Sequence, residues 1–506
     1  MPPDQFYIGI DSGTQGTKIV LLSRAQRRLL AQGYAAHRII ETAAGAREQD
    51  PRWWTAACGQ AMQEMLRNAA VDRTQVKAIG VSGQQHGLVP LDARGEVIRP
   101  AKLWCDTETA PQCRVLTERV GGEAAVLAAI GNRMSAGYTA SKVLWLKERE
   151  PQHYARLNRI LLPHDYLNYW LTGEYRMEYG DASGTAFFDI RRRRWSESLL
   201  NAIDASGRLQ ACLPALTAPD EPCGLLRPQL ADDWGLPRNI VVSAGGGDNM
   251  MAAIGTGNVR PGLVTTSLGT SGTIYAFSAA PVIDPQGELA AFCASTGGWL
   301  PLVCTMNVTV ATEQVRALLG LDLEDFNRRI ETAPPGAGGL LLVPFFNGER
   351  TPDLPLAQAS LTGMTPLNFR PANLARAGME GATLGLRYGL AVMERNGLRA
   401  EEIRLVGGGA KSRVWRQMVA DMFAVPVVTP LETEAGALGA ALQAMWCYRR
   451  QKEGKIAIED ICDDFIGLDP NTRAEPDSQT ASAYQALYDR YQATVNVLAP
   501  LNRPGR

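Results

Sequence analysis

Residues 6–23 read FYIGIDSGTQGTKIVLLS. Two apolar runs rich in Ile, Val and Tyr flank a turn of Gly and Thr, a pattern that predicts a β-hairpin. Half a chain later, residues 263–278 read LVTTSLGTSGTIYAFS. Aligned on Asp11 and Ser267, both segments carry Gly-Thr-x-Gly-Thr. The first copy is Gly13, Thr14, Gln15, Gly16, Thr17; the second is Gly269, Thr270, Ser271, Gly272, Thr273. A chain of 506 residues exceeds one ordinary core. A repeat at this spacing implies two related α/β domains, each opened by the same hairpin and descended from a duplication.

The remaining segments follow a similar order in each half. PRWWTAACGQAMQEMLRNAA predicts a helix with Asp50 as N-cap and Pro51 in its first turn. VKAIGVSGQ then predicts a buried strand running into a loop. In the second half TEQVRALLGL and NLARAGMEGATLGLRYGLAVMERNG predict helices, and IRLVGGG a strand entering glycines. The Gly/Pro-rich stretch Gly255–Gly262 marks the junction. The expected domains are 1–255 and 256–506, with a helical tail from about residue 448 and a frayed end. Two such halves facing a central cleft would hold a ligand between them.

Composition excludes several classes. Lys and Arg number 51 against 52 Asp and Glu, so neither nucleic acid nor an anionic membrane is the expected partner. No uncharged apolar run reaches the length of a membrane span, and the N-terminus lacks the pattern of a signal peptide. The nine Cys are irregularly spaced without CxxC, which predicts reduced thiols in a cytoplasmic protein. The four His lack metal-ligand spacing, which argues against zinc.

Gly-Thr-x-Gly-Thr suits phosphate. Glycine lets the backbone approach an oxyanion, successive N–H groups form a nest, and Thr hydroxyls add donors. One copy is an ordinary hairpin turn as readily as a site. Two copies suggest two loops gripping one polyphosphate, with Lys18 beside the first. A carboxylate beside phosphate needs a cation between, so Asp11 reads as a Mg²⁺ partner, direct or through water, or as a turn Asp bonded to its own backbone. VGGGAKS, with Gly407, Gly408, Gly409 and Ser412, leaves room for something flat or packs a strand–helix corner; it fits neither the Rossmann nor the Walker pattern. In AGGGDN, Asp248 reads as a base for a substrate hydroxyl or as an N-cap, with Asn249 holding a neighbouring oxygen. Gln84, Gln85 and His86 offer amide and imidazole groups suited to a polyhydroxy ligand, or a satisfied loop. Trp104 and Asp106 read as a sugar platform or as core.

Together these motifs resemble the FGGY family of sugar kinases, in the superfamily that includes hexokinase, actin and the heat-shock chaperone ATPases. The likeness spans Tyr7 to about Ala441. Gly137-x-Thr139-x-x-Lys142-Val143-x-Trp145 is similar to the first family signature, and Ala359 through Gly363 to Glu380 to the second, with Gly378 where a larger residue is usual. EQDPRWW, GQQHG, LLPHDYL, GGGDN and FFNGERTP look like the family's ketopentose kinases acting on xylulose; glycerol kinases usually show Asp-Gln at Asp248-Asn249. The resemblance implies two ribonuclease-H-like domains, ATP and Mg²⁺ as cofactors, and transfer to O5 of D-xylulose. It implies Asp248 as general base, Gln85, His86, Trp104, Asp106 and Asn249 on the sugar, and Asp11 on the metal. It also implies the Gly-Thr loops on the phosphates and Gly408, Gly409 and Ser412 near the adenosine. A carboxylate of ordinary pKa, about 4, would orient the hydroxyl and take its proton only as the new bond forms. Relatives include dimers, which leaves a homodimer open.

Cys105, Glu108 and Gln85 depart from relatives that carry Asn, Arg and Met there. These three keep another ketose or polyol as an alternative acceptor. An ATP-driven switch and a silent sugar sensor are the remaining rivals.

Overall fold

The computed structural model describes residues 3–42 and 45–502. The first two residues of the expected leaderless N-terminus and the last four of the expected frayed end lie outside them. Contacts divide the chain into two units. The first runs to Val259 and adds Ser278–Leu300 and Glu434–Ile466. The second takes Arg260–Phe277, Pro301–Thr433 and the chain from Gly467. Among the described residues no helix is long and apolar enough to cross a membrane.

The first unit is built on a seven-stranded sheet. Phe6–Ser12 pairs antiparallel with Gly16–Ser23, which pairs antiparallel with Arg28–Ala36. On its other side Phe6–Ser12 runs parallel to Val76–Gly83, and Val241–Ser243 continues parallel beyond it. Pro222–Leu225 closes that edge antiparallel, and Gly246–Gly247 adds a short pairing to Val76–Gly83. The second unit repeats the scheme in six strands. Gly262–Ser267 forms the hairpin with Gly272–Ala276, which pairs with Leu302–Thr305. Ala400–Val406 and Val427–Pro430 follow in parallel, and Leu468–Ala474 closes the edge antiparallel. The duplicated topology expected from the two hairpins is present in both units.

Burial explains the apolar runs. Tyr7, Ile8 and Ile10 are wholly enclosed because Phe6–Ser12 is covered on both faces. The helix Pro51–Asn68 covers one face, started by Asp50, whose side chain accepts from Arg52 N, with Pro51 in its first turn. Its Trp54, Met62 and Met65 join Ile8, Ile10 and Leu21 in the core. The helix Ala435–Glu453, AGALGAALQA at its start, covers the other face. It lies on the strand backbones because Gly9 and Gly80, directly paired, carry no side chain where Ala437 and Ala440 carbonyls arrive.

Two features go beyond the sequence reading. The contact division is interleaved, where a single cut after residue 255 was expected, because that small-residue helix from late in the chain packs on the first sheet. The tail is also more than helices. After Ala435–Glu453 and Ile458–Phe465, Leu468–Ala474 is an edge strand, and Ser478–Leu498 buries Tyr484 and Tyr491. The strand sequence LDPNTRA is polar and contains Pro470, which edge strands tolerate and which hid it from a hydrophobic-pattern reading.

Candidate active site

In the first unit the hairpin turn brings Asp11 beside the end of the neighbouring parallel strand. Ser82 Oγ donates to Asp11 Oδ1 at 2.6 Å. Burial pushes the Asp11 acid up, the Ser82 bond opposes, and the Glu434 charge adds to the rise. A methyl at Gly436 would lie 2.7 Å from Asp11 Oδ2, so the first turn of Ala435–Glu453 abuts this carboxylate only because glycine stands there.

The turn itself is braced from below. Gly13 N donates to the Gly16 carbonyl (3.0 Å). Gln49 Nε2 donates to the Thr14 carbonyl (2.8 Å), and Gln84 Nε2 donates to Gln49 Oε1 (2.8 Å). Trp104 Nε1 donates to Thr14 Oγ1 (3.0 Å), so Trp104 touches the Gly-Thr turn. His37 reaches the Gly13 carbonyl through Nδ1 (3.1 Å) and the Thr17 hydroxyl through Nε2 (2.9 Å). Burial lowers the His37 pKa, which favours the neutral ring. Gln15 is exposed at the tip.

Asp248 is the first residue of the helix Asp248–Gly255; Gly247 occupies the cap position, which removes the N-cap reading. Its Oδ1 accepts from Asn249 N (2.8 Å) and Asn249 Nδ2 (3.0 Å). Asn249 Nδ2 also donates to Gln85 Oε1 (3.0 Å), and Gln85 Nε2 points at Met250 Sδ (3.2 Å). The acid of Asp248 is pushed up to about 7, first by burial and then by the Asp11 charge. Phe6–Ser12 and Gly246–Gly247 flank Val76–Gly83 on its two sides, and the Asp248 carboxylate that follows, flanked by amides, forms with Asp11 a centre able to orient a hydroxyl and accept its proton. His86 completes the loop, its ring edge-on to Tyr138 with centroids 4.8 Å apart.

The glycine run before Asp248 is held rigidly. His164 Nε2 (3.0 Å) and Asn168 Nδ2 (2.8 Å) meet the Ala244 carbonyl. Gln443 accepts from Gly245 N (2.8 Å) and donates to its carbonyl (2.9 Å). His164 Nδ1 lies 2.7 Å from Asp181 Oδ2. Asp165 and Asp181 drive its pKa up to about 10 against the burial penalty, which favours the protonated ring.

In the second unit the parallel pair Gly262–Ser267 and Ala400–Val406 sets both glycine turns side by side. Leu268 N donates to the Val406 carbonyl (2.8 Å), and Gly409 N donates to the Leu268 carbonyl (3.0 Å). Thr309 N and Val308 N donate to the carbonyls of Gly269 (2.9 Å) and Thr270 (3.2 Å). Thr270 is exposed and Ser271 half-buried, while Gly272 is enclosed. Gly408 has open space where a Cβ would stand; Gly409 packs on Leu268 and Trp415.

Four residues expected to touch ligand are engaged elsewhere. Thr17 is wholly buried beneath its turn, bonded to Ser12 Oγ (3.0 Å) as well as His37. Lys18 Nζ pairs with Glu434 (2.6 Å). Ser412 caps the helix Arg413–Phe423 and donates to Asn327 Oδ1 (2.9 Å). Asp106 is buried and accepts from Arg47 N (3.0 Å) and Lys102 Nζ (3.1 Å). Lys102 also contacts Glu48 (3.1 Å) and Glu108 (2.6 Å), so an ammonium already fills the centre of this acidic cluster. Each of these partners is distant in sequence or has unremarkable local context. The braces His37 and Gln49 were missed for the same reason, although Gln49 stands within the phrase EQDPRWW.

Residues 6–255 match the N-terminal domain of the FGGY family of carbohydrate kinases, and residues 264–448 match its C-terminal domain. The chain is 47% identical to a xylulose kinase of Haemophilus influenzae, over 96% of this chain and 98% of that one. It is 38% identical to a xylulose kinase of Streptomyces coelicolor, over 98% and 96%. Its fold is similar to the crystal structure of xylulose kinase from Bifidobacterium adolescentis, with a TM-score of 0.83 at 31% identity, covering 96% and 99%. With both domain models matched in order along the chain, it belongs to the FGGY family of carbohydrate kinases.

Proposed function

We propose that this kinase transfers the γ-phosphoryl group of ATP to a hydroxyl of D-xylulose, with Asp248 as the general base. The observation that carries the reading is the Asp248 carboxyl, its acid raised to about 7 and bonded to Asn249, which in turn meets Gln85. The 47% identity to a xylulose kinase selects xylulose among the sugars such a centre could serve.

In this proposal Gln85, Asn249 and His86 bind the ketose, and Trp104 borders it. Asp248 accepts a hydrogen bond from the attacking hydroxyl and takes the proton as the oxygen–phosphorus bond forms. An acid near 7 matches that task at neutral pH better than the ordinary carboxylate expected from sequence. Positioning and charge stabilisation supply most of the acceleration.

The donor set fits the expected cofactors. Asp11 is a hard oxygen ligand whose charged form burial disfavours, a cost that Mg²⁺ held directly or through water would offset. When bound, the ion neutralises and orients phosphate oxygens. Thr270 and Ser271 present accessible hydroxyls for phosphate, and the open face of Gly408 suits the adenosine. The nine cysteines are free thiols, and on that ground we propose a reducing, cytoplasmic setting.

A coupled ADP-release assay with MgATP tests the reading. The panel is D-xylulose, D-ribulose, D-fructose, L-xylulose, glycerol, D-arabinitol and gluconate. The highest kcat/KM is expected for D-xylulose, with transfer abolished and ATP binding retained in Asp248→Ala. Preference for another acceptor refutes the substrate; substantial sugar phosphorylation by Asp248→Ala refutes the base.

A further inference from the structure

The first family signature, Gly137 to Trp145, has no part in the chemistry proposed above. Its polar residues nevertheless converge on one atom. Lys142 Nζ donates to the His86 carbonyl at 2.8 Å, and Thr139 Oγ1 donates to the same carbonyl at 3.1 Å. The second donor of Lys142 goes to the Gly137 carbonyl at 2.5 Å. Both residues lie in the first turns of the helix Thr139–Arg149, where a carbonyl oxygen is favoured by the free N–H groups.

The residue they hold is unusual. His86 has φ 66°, left-handed for a residue with a Cβ. Such a conformation is costly and persists where its surroundings enforce it. The ring it projects is boxed by Tyr138 and Phe292, centroids 4.8 and 5.7 Å away, and Gly184 leaves room for it by lacking a Cβ. Lys142 is itself wholly buried. Salt-bridging is not its role: Asp106, the acid that acts on it most, is claimed by Lys102, while its donors go to backbone carbonyls. Cys105, Cys113 and Lys102 are the other titratable groups acting on it. Burial pulls its pKa down to about 7, and the neutral amine keeps two N–H donors, enough for the two carbonyls.

We propose that Lys142, assisted by Thr139, is a positioning residue that fixes the left-handed backbone of His86 and so aims its ring at the sugar. The proposal rests on the reading of His86 as a sugar contact. It gives the signature a physical purpose: the spacing from Thr139 to Lys142 places a hydroxyl and an amine on one face of a helix start.

The test compares Lys142→Met, Thr139→Val, His86→Ala and the double variant Lys142→Met/His86→Ala by steady-state kinetics with D-xylulose and MgATP. Losing a hydrogen bond of this kind costs from a few-fold to about tenfold. Lys142→Met is expected to raise the sugar KM about tenfold and Thr139→Val about threefold, with the ATP KM within about twofold of wild type. The double variant is expected to match His86→Ala, since Lys142 acts only through that side chain. Thr139→Val, which preserves shape, carries the test if the Lys142 variants do not fold. Wild-type sugar KM in the Lys142 and Thr139 variants, with a raised value in His86→Ala, overturns the positioning role alone. Additive effects in the double variant also overturn it, because a general loss of stability would add. Wild-type sugar KM in His86→Ala overturns the reading of His86 and the positioning role with it.

Discussion

Asp248→Asn separates the electrostatics of the candidate base from its chemistry. The side chain keeps its shape and an oxygen for the Asn249 donors but loses its charge. In the folded protein the Asp248 acid is raised to about 7 by burial and by Asp11; in the unfolded chain it titrates near 3.9. The folded state therefore binds more protons than the unfolded state between roughly pH 4 and 7, and stability falls as pH rises through that window. At 1.36 kcal/mol per pH unit the penalty reaches at most about 4 kcal/mol above pH 7. The side chain is half-buried, and solvent screening reduces this to about 2 kcal/mol. Asp248→Asn escapes it. The assay is urea denaturation without nucleotide and with EDTA, at pH 4 and pH 8. The variant is expected to be more stable than wild type by about 2 kcal/mol at pH 8 and about equal at pH 4, while sugar phosphorylation falls by at least about a hundredfold. A variant no more stable than wild type at pH 8, or a gain of equal size at both pH values, would refute the electrostatic argument. Full activity in Asp248→Asn would refute the catalytic one.

Two further predictions test the scaffold and the nucleotide side. Gly80→Ala drives a methyl into the Ala440 carbonyl and is expected to cost roughly 1–3 kcal/mol in urea denaturation; a neutral outcome would contradict the close helix-on-sheet contact. Gly408→Ala meets nothing in the protein within 4 Å, so it is expected to leave stability within about 0.5 kcal/mol while raising the ATP KM several-fold. Unchanged ATP kinetics would remove Gly408 from the nucleotide.

Much of this protein was legible before any coordinates. The two hairpins announced themselves because apolar runs and turn chemistry are written locally. So did the Pro51 helix with its Asp50 cap, the glycine turns, and the carboxylate that follows AGGG. Those motifs carry chemistry in adjacent residues, and a single sequence displays adjacency. The structure decided which polar groups were already spoken for. Thr17, Lys18, Ser412 and Asp106 carry the right functional groups in the right phrases, but His37, Glu434, Asn327 and Lys102 engage them. It decided that the Gly/Ala-rich helix after residue 434 belongs with the first sheet, and that Leu468–Ala474 finishes the second. It also raised Asp248 from an ordinary acid to one near neutrality, since burial and a second carboxylate come from folding. Local pattern sets the elements and the reactive groups; long-range packing sets their partners and their protonation.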